Sequence, residues 1–321
     1  MIIMRHIILM GIALFVAGFL FYTGIPEVNS QSSTLISKLV GEAPVDDPEA
    51  EIWKEAPLLE VPLSAQLITI PRIYEANVKK ITARSVYDGN RISFLLEWEA
   101  PVASTGFLKH EEFRDAAAIQ FSTTEAKTRF TMGHEDLPVN IWHWKADWEK
   151  DLIEFAEIED KYPNMINDLY PEDLQPDADT FLTGKEAGNI FSNSKIRKSV
   201  IENLVAGGFG TLTTTELQDV QGKGVYKDGK WKVVYSRSMS SEEGLAKFTP
   251  GEFQSIAFAV WYGAGGERDG MKSVSSWYWM VPEKKTSSLI YLLPVLSIVL
   301  VAAGEYYYLN KTNKKTSKGG S

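Results

Sequence analysis

The sequence predicts a mostly β protein: a two-layer β-sandwich with short helical insertions, flanked by N- and C-terminal hydrophobic segments that we expect to be transmembrane. Apolar and polar residues alternate along several short segments, and Asp-Gly turns separate two pairs of these segments. Uncharged apolar runs stand near both ends of the chain. With 44% apolar and 12% aromatic residues in 321, the chain can bury a full core, and its large rings suit packing between sheets.

The hydrophobic runs divide the chain into four parts. Residues 1–30 are predicted to be a signal peptide or an N-terminal membrane anchor, because residues 7–26 carry no charge and have about the length that crosses a bilayer. Residues 31–285 form the folded domain, residues 286–309 a C-terminal transmembrane helix, and residues 310–321 a basic cytoplasmic tail. The uncharged run itself spans residues 286–304, and three tyrosines and four lysines follow it. This arrangement predicts that the domain lies on the outer, extracytoplasmic face of the membrane.

Within the domain, the polar residues 27–50 are interpreted as a linker. Residues 78–87 and 91–99 alternate with a period of two around Asp88-Gly89-Asn90 and predict a β-hairpin. A second hairpin is predicted for residues 224–235 around Asp228-Gly229, and another strand for residues 253–262. Residues 148–162 and 190–204 are expected to be helical or irregular. The proline-rich residues 162–179 are predicted to be a surface excursion.

Composition limits the chemistry of any site. The chain has no cysteine, which excludes disulfides, thiolate zinc sites, cysteine-held iron–sulfur clusters and covalent c-type haem attachment. A metal or cofactor would therefore be held by His, Met, Lys, Tyr or carboxylate groups. A formal net charge of −9 disfavours nucleic acid and favours a basic protein partner, such as a small soluble electron carrier.

Two segments concentrate unusual residues. Residues 131–148 hold three tryptophans, two histidines and a Met-Gly pair, and residues 263–280 form a Gly-rich loop that leads to Lys272. From the residues alone, the tryptophans could be core, Met132 a gap filler and Lys272 a surface amine. A zinc site at His134 and His143 is disfavoured because their spacing is not H-E-x-x-H and Pro138 would interrupt a helix between them.

Taken together, these and other motifs make the chain resemble the haem-binding γ subunits of the ethylbenzene dehydrogenase type. Such subunits accompany molybdenum enzymes of the type II dimethyl sulfoxide reductase superfamily, which includes nitrate reductase-like and nitrite oxidoreductase-like enzymes. The motifs follow in order across about residues 45–280: IWKEAP (52–57), FLLEW (94–98), RDAAAIQF (114–121), MG (132–133), PVNIWHWKA (138–146), DGKW (228–231) and ERDGMKSVSSW (267–277).

The resemblance implies a two-layer β fold that carries one haem b, with Met132 and Lys272 as the axial ligands of its iron. Trp142, Trp144 and Asn140 are the candidates to line the haem, and His134 and His143 remain competing ligands. A thioether ligand favours ferrous iron and raises the reduction potential. A lysine ligates only as a neutral amine, so it must lose its proton, and an apolar environment helps that loss. With both axial positions filled, electron transfer is expected, and catalysis by this subunit is not.

The family thus implies an electron-transfer subunit of a membrane-held molybdoenzyme complex. Its expected partners are a molybdenum-containing α subunit, an iron–sulfur β subunit, and a cytochrome c or membrane electron carrier. The alternative is a membrane-anchored, haem-free β-sandwich that binds a carbohydrate or protein through its aromatic residues, among them Trp277, Tyr278 and Trp279.

Overall fold

The computed structural model describes residues 33–124, 132–153, 158–164, 184, 187–192, 197–284, 299, 302–304 and 306–307. By internal contacts the chain divides into the units Met1–Ser33 and Thr34–Ser321, and all described strands belong to the second. The strands are β1 (Thr34–Leu39), β2 (Leu59–Pro62), β3 (Ser64–Ala65), β4 (Lys80–Tyr87), β5 (Arg91–Glu99), β6 (Ala116–Ser122), β7 (Val139–Lys145), β8 (Ile201–Ala206), β9 (Thr213–Thr214), β10 (Gln221–Lys227), β11 (Lys230–Ser238), β12 (Gln254–Trp261), β13 (Ser273–Val274) and β14 (Tyr278–Pro282). One short α-helix, α1 (Ala146–Asp151), and 3-10 turns at Glu51–Glu55, Ile158–Asp160 and Gly263–Gly265 complete the described elements.

The strands form one continuous hydrogen-bonded sheet in the order β10-β11-β5-β4-β1-β14-β12-β6-β7-β8-β9. Most neighbours are antiparallel, and β1 runs parallel to both β4 and β14. Strand β2 adds to the edge of β4, while β13 pairs with β12 and β3. Strands β10, β11, β5 and β4 thus form one half of the sheet, and β12, β6, β7, β8 and β9 form the other. Strands β1 and β14 join the two halves.

The two halves face each other across the main core. Phe94 of β5 packs on Trp142 of β7 with ring centroids 5.7 Å apart, and Trp144 lies 4.8 Å from Trp231 of β11. The Tyr235 hydroxyl donates to the Ala117 carbonyl at 2.9 Å, across the same interface. Since none of these strand pairs is hydrogen-bonded as neighbours, the contacts define two layers, and the predicted two-layer β-sandwich is confirmed.

Both predicted hairpins are present. Strands β4 and β5 pair from Tyr87↔Ile92 outward, and the amides of Asn90 and Arg91 donate to the Asp88 carboxylate at 2.8 Å. Strands β10 and β11 close at Lys227↔Lys230, where Asp228 and Gly229 both have positive φ, as a tight hairpin turn requires. The strand predicted at 253–262 is β12.

Two segment predictions were wrong in part. The supposed linker 27–50 contains β1, whose Leu35 and Ser37 are fully buried between two parallel partners. Such pairing has no local sequence signal, because each partner lies far along the chain. The segment 190–204 contributes β8, not a helix. In the segment 148–162, helix α1 ends at Asp151 and a 3-10 turn spans Ile158–Asp160. Residues 154–157 and most of the predicted excursion at 162–179 lie outside the described residues.

The prediction of flanking transmembrane segments is wrong for the fold seen here. No helix among the described residues is long and apolar enough to cross a membrane. The apolar run 7–26, and all but a few residues of 286–309, lie outside the part that the structure describes.

Candidate functional site

A pocket of about 380 Å³ lies over the outer face of the β12-β6-β7 layer, on the side away from the main core. Its floor is made of small side chains: Ala116 and Ala118 on β6, and Ala257 and Ala259 on β12. The pairs Ala118↔Ala259 and Ala116↔Trp261 place these residues side by side. Because alanine leaves the space that a larger side chain would fill, the floor is shallow, apolar and suited to a flat ligand.

Lys272 lines this pocket and is 8% exposed. Its Nζ lies 4.7 Å from the ring centroid of Trp261, and within the described part of the chain it makes no ion pair or hydrogen bond. Burial lowers the pKa of the Lys272 ammonium to about 8, and the nearby Asp269 opposes this shift only in part. The amine therefore loses its proton far more easily than a surface lysine, as a nitrogen ligand must.

The loop that carries Lys272 is fixed by contacts on both sides. The backbone amide of Gln66 donates to the Lys272 carbonyl at 3.0 Å, and the Gln66 side-chain amide donates to the Gly270 carbonyl at 3.0 Å. On the other side, Trp261 Nε1 donates to the Asp269 carbonyl at 3.0 Å. The Gly-rich loop thus holds the lysine in place through its own backbone.

Met132 lines the same pocket and packs against the outer apolar cluster that includes Val139 and Ala206. Its backbone has φ 72°, a left-handed conformation that is uncommon for a residue other than glycine. Gly133 follows with φ 82°, and the next residues close a tight turn in which His134 and Leu137 exchange backbone hydrogen bonds. Such backbone strain concentrates at functional sites, and here the strained residue is a methionine whose side chain lines the pocket.

Gly133→Ala is expected to destabilise this turn by about 1–3 kcal/mol. An added Cβ would lie 3.0 Å from the carbonyl oxygens of Ala206 and Leu137, and φ 82° disfavours any side chain. Urea unfolding of the ligand-free protein measures the loss. Gly89→Ala is the matched control, because Gly89 has φ 97° but meets nothing within 4 Å. Equal losses in the two variants would contradict a packing role for Gly133.

His143 also reaches the pocket, since it alternates with Trp142 and Trp144 along β7. Its ring lies 4.9 Å from that of Trp261, and its Nε2 is buried without a hydrogen-bond partner among the described residues. Burial, followed by the positive charges of Lys145, Arg114 and Lys272, holds the pKa of His143 well below its ordinary value. His143 is therefore a neutral imidazole facing the pocket. The other candidate histidine, His134, lies beside a smaller neighbouring pocket, with a side chain 49% exposed.

Trp142, Trp144 and Asn140 do not line this pocket. All three are fully buried on the opposite face of β7, towards the core between the layers. Asn140 Oδ1 accepts hydrogen bonds from Trp142 Nε1 at 3.1 Å and from Arg237 at 3.3 Å. The structure thus brings Met132 and Lys272 together and assigns the two tryptophans and the asparagine to the sandwich core.

The residues present fit a haem. The pocket combines a thioether, an amine of lowered pKa and an uncharged imidazole above an apolar floor. The buried Nε2 of that imidazole has no hydrogen-bond partner in the part of the chain that the structure describes. Soft sulfur and neutral nitrogen are donors that haem iron accepts. Sequence reasoning missed the floor alanines and the arginines of the lining, Arg114 and Arg268. Ala116 and Ala118, two residues apart in RDAAAIQF, were a signal that one face of β6 is flat.

Comparison with known proteins gives the same family that the sequence motifs resemble. The sequence profile of the ethylbenzene dehydrogenase family matches residues 50–273. Similar proteins include the respiratory nitrate reductase heme subunit ORF7 of Haloferax mediterranei, 28% identical over 76% of this chain and 70% of that protein. The chlorate reductase γ subunit of Ideonella dechloratans is 28% identical over 73% of this chain and 78% of its own. The dimethylsulfide dehydrogenase γ subunit of Rhodovulum sulfidophilum is 26% identical over 72% of each chain.

The matched relatives are named as heme or γ subunits of oxidoreductases. The chain belongs to the ethylbenzene dehydrogenase family. The family resemblance and the electron-transfer role predicted from the sequence are thereby confirmed. Among solved structures, a carbohydrate-binding module of family 9 from Caldicellulosiruptor kristjanssonii, in complex with glucose, is similar with TM-score 0.39 and 10% identity, over 79% of this chain and 97% of that one.

Proposed function

We propose that this chain binds one haem b in the pocket over β6, β7 and β12, with Met132 and Lys272 as the two axial ligands. The observation that carries the proposal is that one apolar pocket is lined by both side chains, although they lie far apart in the sequence. The conformation of each supports it: Met132 is held by a strained turn, and Lys272 is a buried amine with a lowered pKa.

When bound, haem supplies a one-electron couple between ferric and ferrous iron. The Met132 thioether favours the ferrous state, and Lys272 Nζ must give up its proton before it can donate its lone pair. With both side chains engaged, no position is open for a substrate. The floor alanines and Trp261 would place apolar surface against the ring, which lowers the local dielectric and tunes the reduction potential.

The names of the matched relatives support a proposal about the partners. Two of these carry names as γ subunits, of chlorate reductase and of dimethylsulfide dehydrogenase, and the third is named as the heme subunit of a nitrate reductase. We propose that this chain likewise joins a molybdenum-containing α subunit and an iron–sulfur β subunit. It would exchange electrons between the iron–sulfur subunit and a cytochrome c or membrane carrier, and the net charge of −9 would attract a basic cytochrome.

We further propose that the domain works outside the cytoplasm, with residues 7–26 acting as an export signal. The support is the uncharged apolar run after Arg5, which lies outside the described residues. Fusing alkaline phosphatase after residue 285 tests this placement. Export predicts an active phosphatase, and an inactive but stable fusion would contradict it.

A haem titration of the purified full chain tests the main proposal. Difference absorbance should saturate at one haem per chain, and pyridine extraction should identify haem b. Sharp low-spin α and β bands on reduction are expected from two strong axial ligands. A folded chain that binds no haem under these conditions would contradict the proposed function.

Haem affinity should rise with pH and level off near pH 8. Below about pH 8, a proton competes with iron for Lys272 Nζ, because the pKa of that group in the protein is about 8. Each pH unit below that value should weaken binding by about tenfold, as one proton is displaced. Equilibrium titrations between pH 6 and pH 9 measure the slope. Lys272→Ala should remove most of it, and an unchanged slope in that variant would contradict the assignment.

A further inference from the structure

Two arginines lie at one end of the pocket, where β6 begins and β12 ends. Ala116 and Trp261 pair at that edge, so the segment before β6, with Arg114, and the loop after β12, with Arg268, leave the sheet together. These two segments pack closely: a Cβ added to Gly263 would fall 1.9 Å from the Phe113 carbonyl oxygen. Both arginines line the pocket.

Each guanidinium is held against an aromatic ring of the same lining. Arg114 lies 4.2 Å from the ring centroid of Phe107, and Arg268 lies 4.4 Å from that of Phe113. Stacking of this kind orients a guanidinium and leaves its edge N–H groups available for planar carboxylates. The rings thus fix both cations at the pocket edge.

The two arginines differ in how far their charge is already neutralised. Arg114 donates to the Asp147 carboxylate at 2.6 Å. Arg268 donates to the Gly266 carbonyl at 2.9 Å and has no carboxylate partner in the described part of the chain. The buried carboxylate of Glu267 does not serve it, since the Tyr262 amide and the Asn77 side chain donate to its oxygens at 2.8 Å. Arg268 is therefore an exposed guanidinium at the pocket edge that no carboxylate of the described residues neutralises.

We propose that Arg268, assisted by Arg114, binds the two propionate carboxylates of the haem and so fixes which edge of the macrocycle faces solvent. The inference rests on the proposed function and extends it to cofactor recognition. The pocket has an apolar floor and two guanidinium groups at one end, and haem is a flat apolar ring with two carboxylates on one edge. Bidentate guanidinium–carboxylate pairs are strong and directional, so they suit this task.

Comparing the affinity of the chain for haem with its affinity for haem dimethyl ester tests the propionate role. Both present the same iron to Met132 and Lys272, but the ester lacks the two negative charges. The full-length wild-type chain should bind haem more tightly than the ester, by about tenfold or more. Arg268→Gln should weaken haem binding by about the same factor and leave binding of the ester unchanged. Arg268→Lys, which keeps the charge without the planar fork, should fall between the two.

Arg84→Gln is the matched control, because Arg84 lies on β4 in the other layer and pairs with Glu97. It should leave both affinities unchanged. The propionate role would be overturned if Arg268→Gln weakened the binding of haem and of the ester equally, or weakened the binding of neither. In that case the low-spin spectrum of the wild type would still support the haem function. A wild-type chain that binds neither compound would instead refute the haem function itself.

Discussion

Lys272→Ala should convert the bound haem from six-coordinate low-spin to five-coordinate and weaken haem binding by at least about a hundredfold. Loss of a group that only supports a metal ligand typically lowers metal affinity by about 10–100-fold. Loss of a ligand itself should therefore lower haem affinity by at least about a hundredfold. No ion pair or hydrogen bond of Nζ is lost in the described part of the chain, so the fold should survive. Visible spectra and haem titration of the variant provide the measurement.

The control for this variant is Lys227→Ala, at the exposed turn between β10 and β11. It removes the same charge far from the pocket lining and should leave the spectrum unchanged. Methylamine added to Lys272→Ala should restore the low-spin bands, because a free amine can occupy the vacated ligand position. A variant whose spectrum and haem affinity match the wild type would remove Lys272 from the ligand set.

Lys145→Ala should lower the free energy of unfolding by about 3–5 kcal/mol, the usual cost of leaving one buried charge unpaired. Lys145 Nζ pairs with the Glu202 carboxylate, and both side chains are 2% exposed. Nζ also lies 4.0 Å from the centroid of the Trp148 ring. After the substitution, the described contacts leave Glu202 with only the Thr214 hydroxyl, which donates at 2.6 Å. Urea unfolding of the haem-free protein at pH 7 measures the loss.

The double variant Lys145→Met/Glu202→Leu should recover most of that stability, because a buried ion pair can often be replaced by apolar groups at little cost. Lys54→Ala is the exposed control: its pair with Glu51 is 75% and 83% exposed and should contribute less than about 1 kcal/mol. A small loss in Lys145→Ala, comparable with that of Lys54→Ala, would contradict the buried charge pair.

Local signals predicted the two antiparallel hairpins, β4–β5 and β10–β11. The alternation of β5 and the positive-φ residues at Asp228-Gly229 fix a pairing between segments that are close in sequence. Strand β1 was missed because its two parallel partners, β4 and β14, lie far from it along the chain. The buried Ser37 gave no apolar signal, although its hydroxyl accepts a hydrogen bond from that of Ser85 at 2.8 Å.

The resemblance supplied the candidate ligands of the site, whereas the side chains that line the rest of the pocket were not predicted. The resemblance pointed to Met132 and Lys272, and the structure places both at one pocket. The period of two along β7 would have separated Trp142 and Trp144, which face the core, from His143, which faces the pocket. The arginine pair at the pocket edge could not be read from the sequence, because it depends on the Ala116↔Trp261 pairing of two distant strands.

The most direct test of the central claim is the reduced-minus-oxidised visible spectrum of the haem-loaded full chain, compared with Met132→Ala and His143→Ala. Ligation by Met132 and Lys272 predicts sharp low-spin bands in the wild type and in His143→Ala, and their loss in Met132→Ala. Bands that persist in Met132→Ala and disappear in His143→Ala would show that the unpartnered imidazole is the ligand, and would contradict the account.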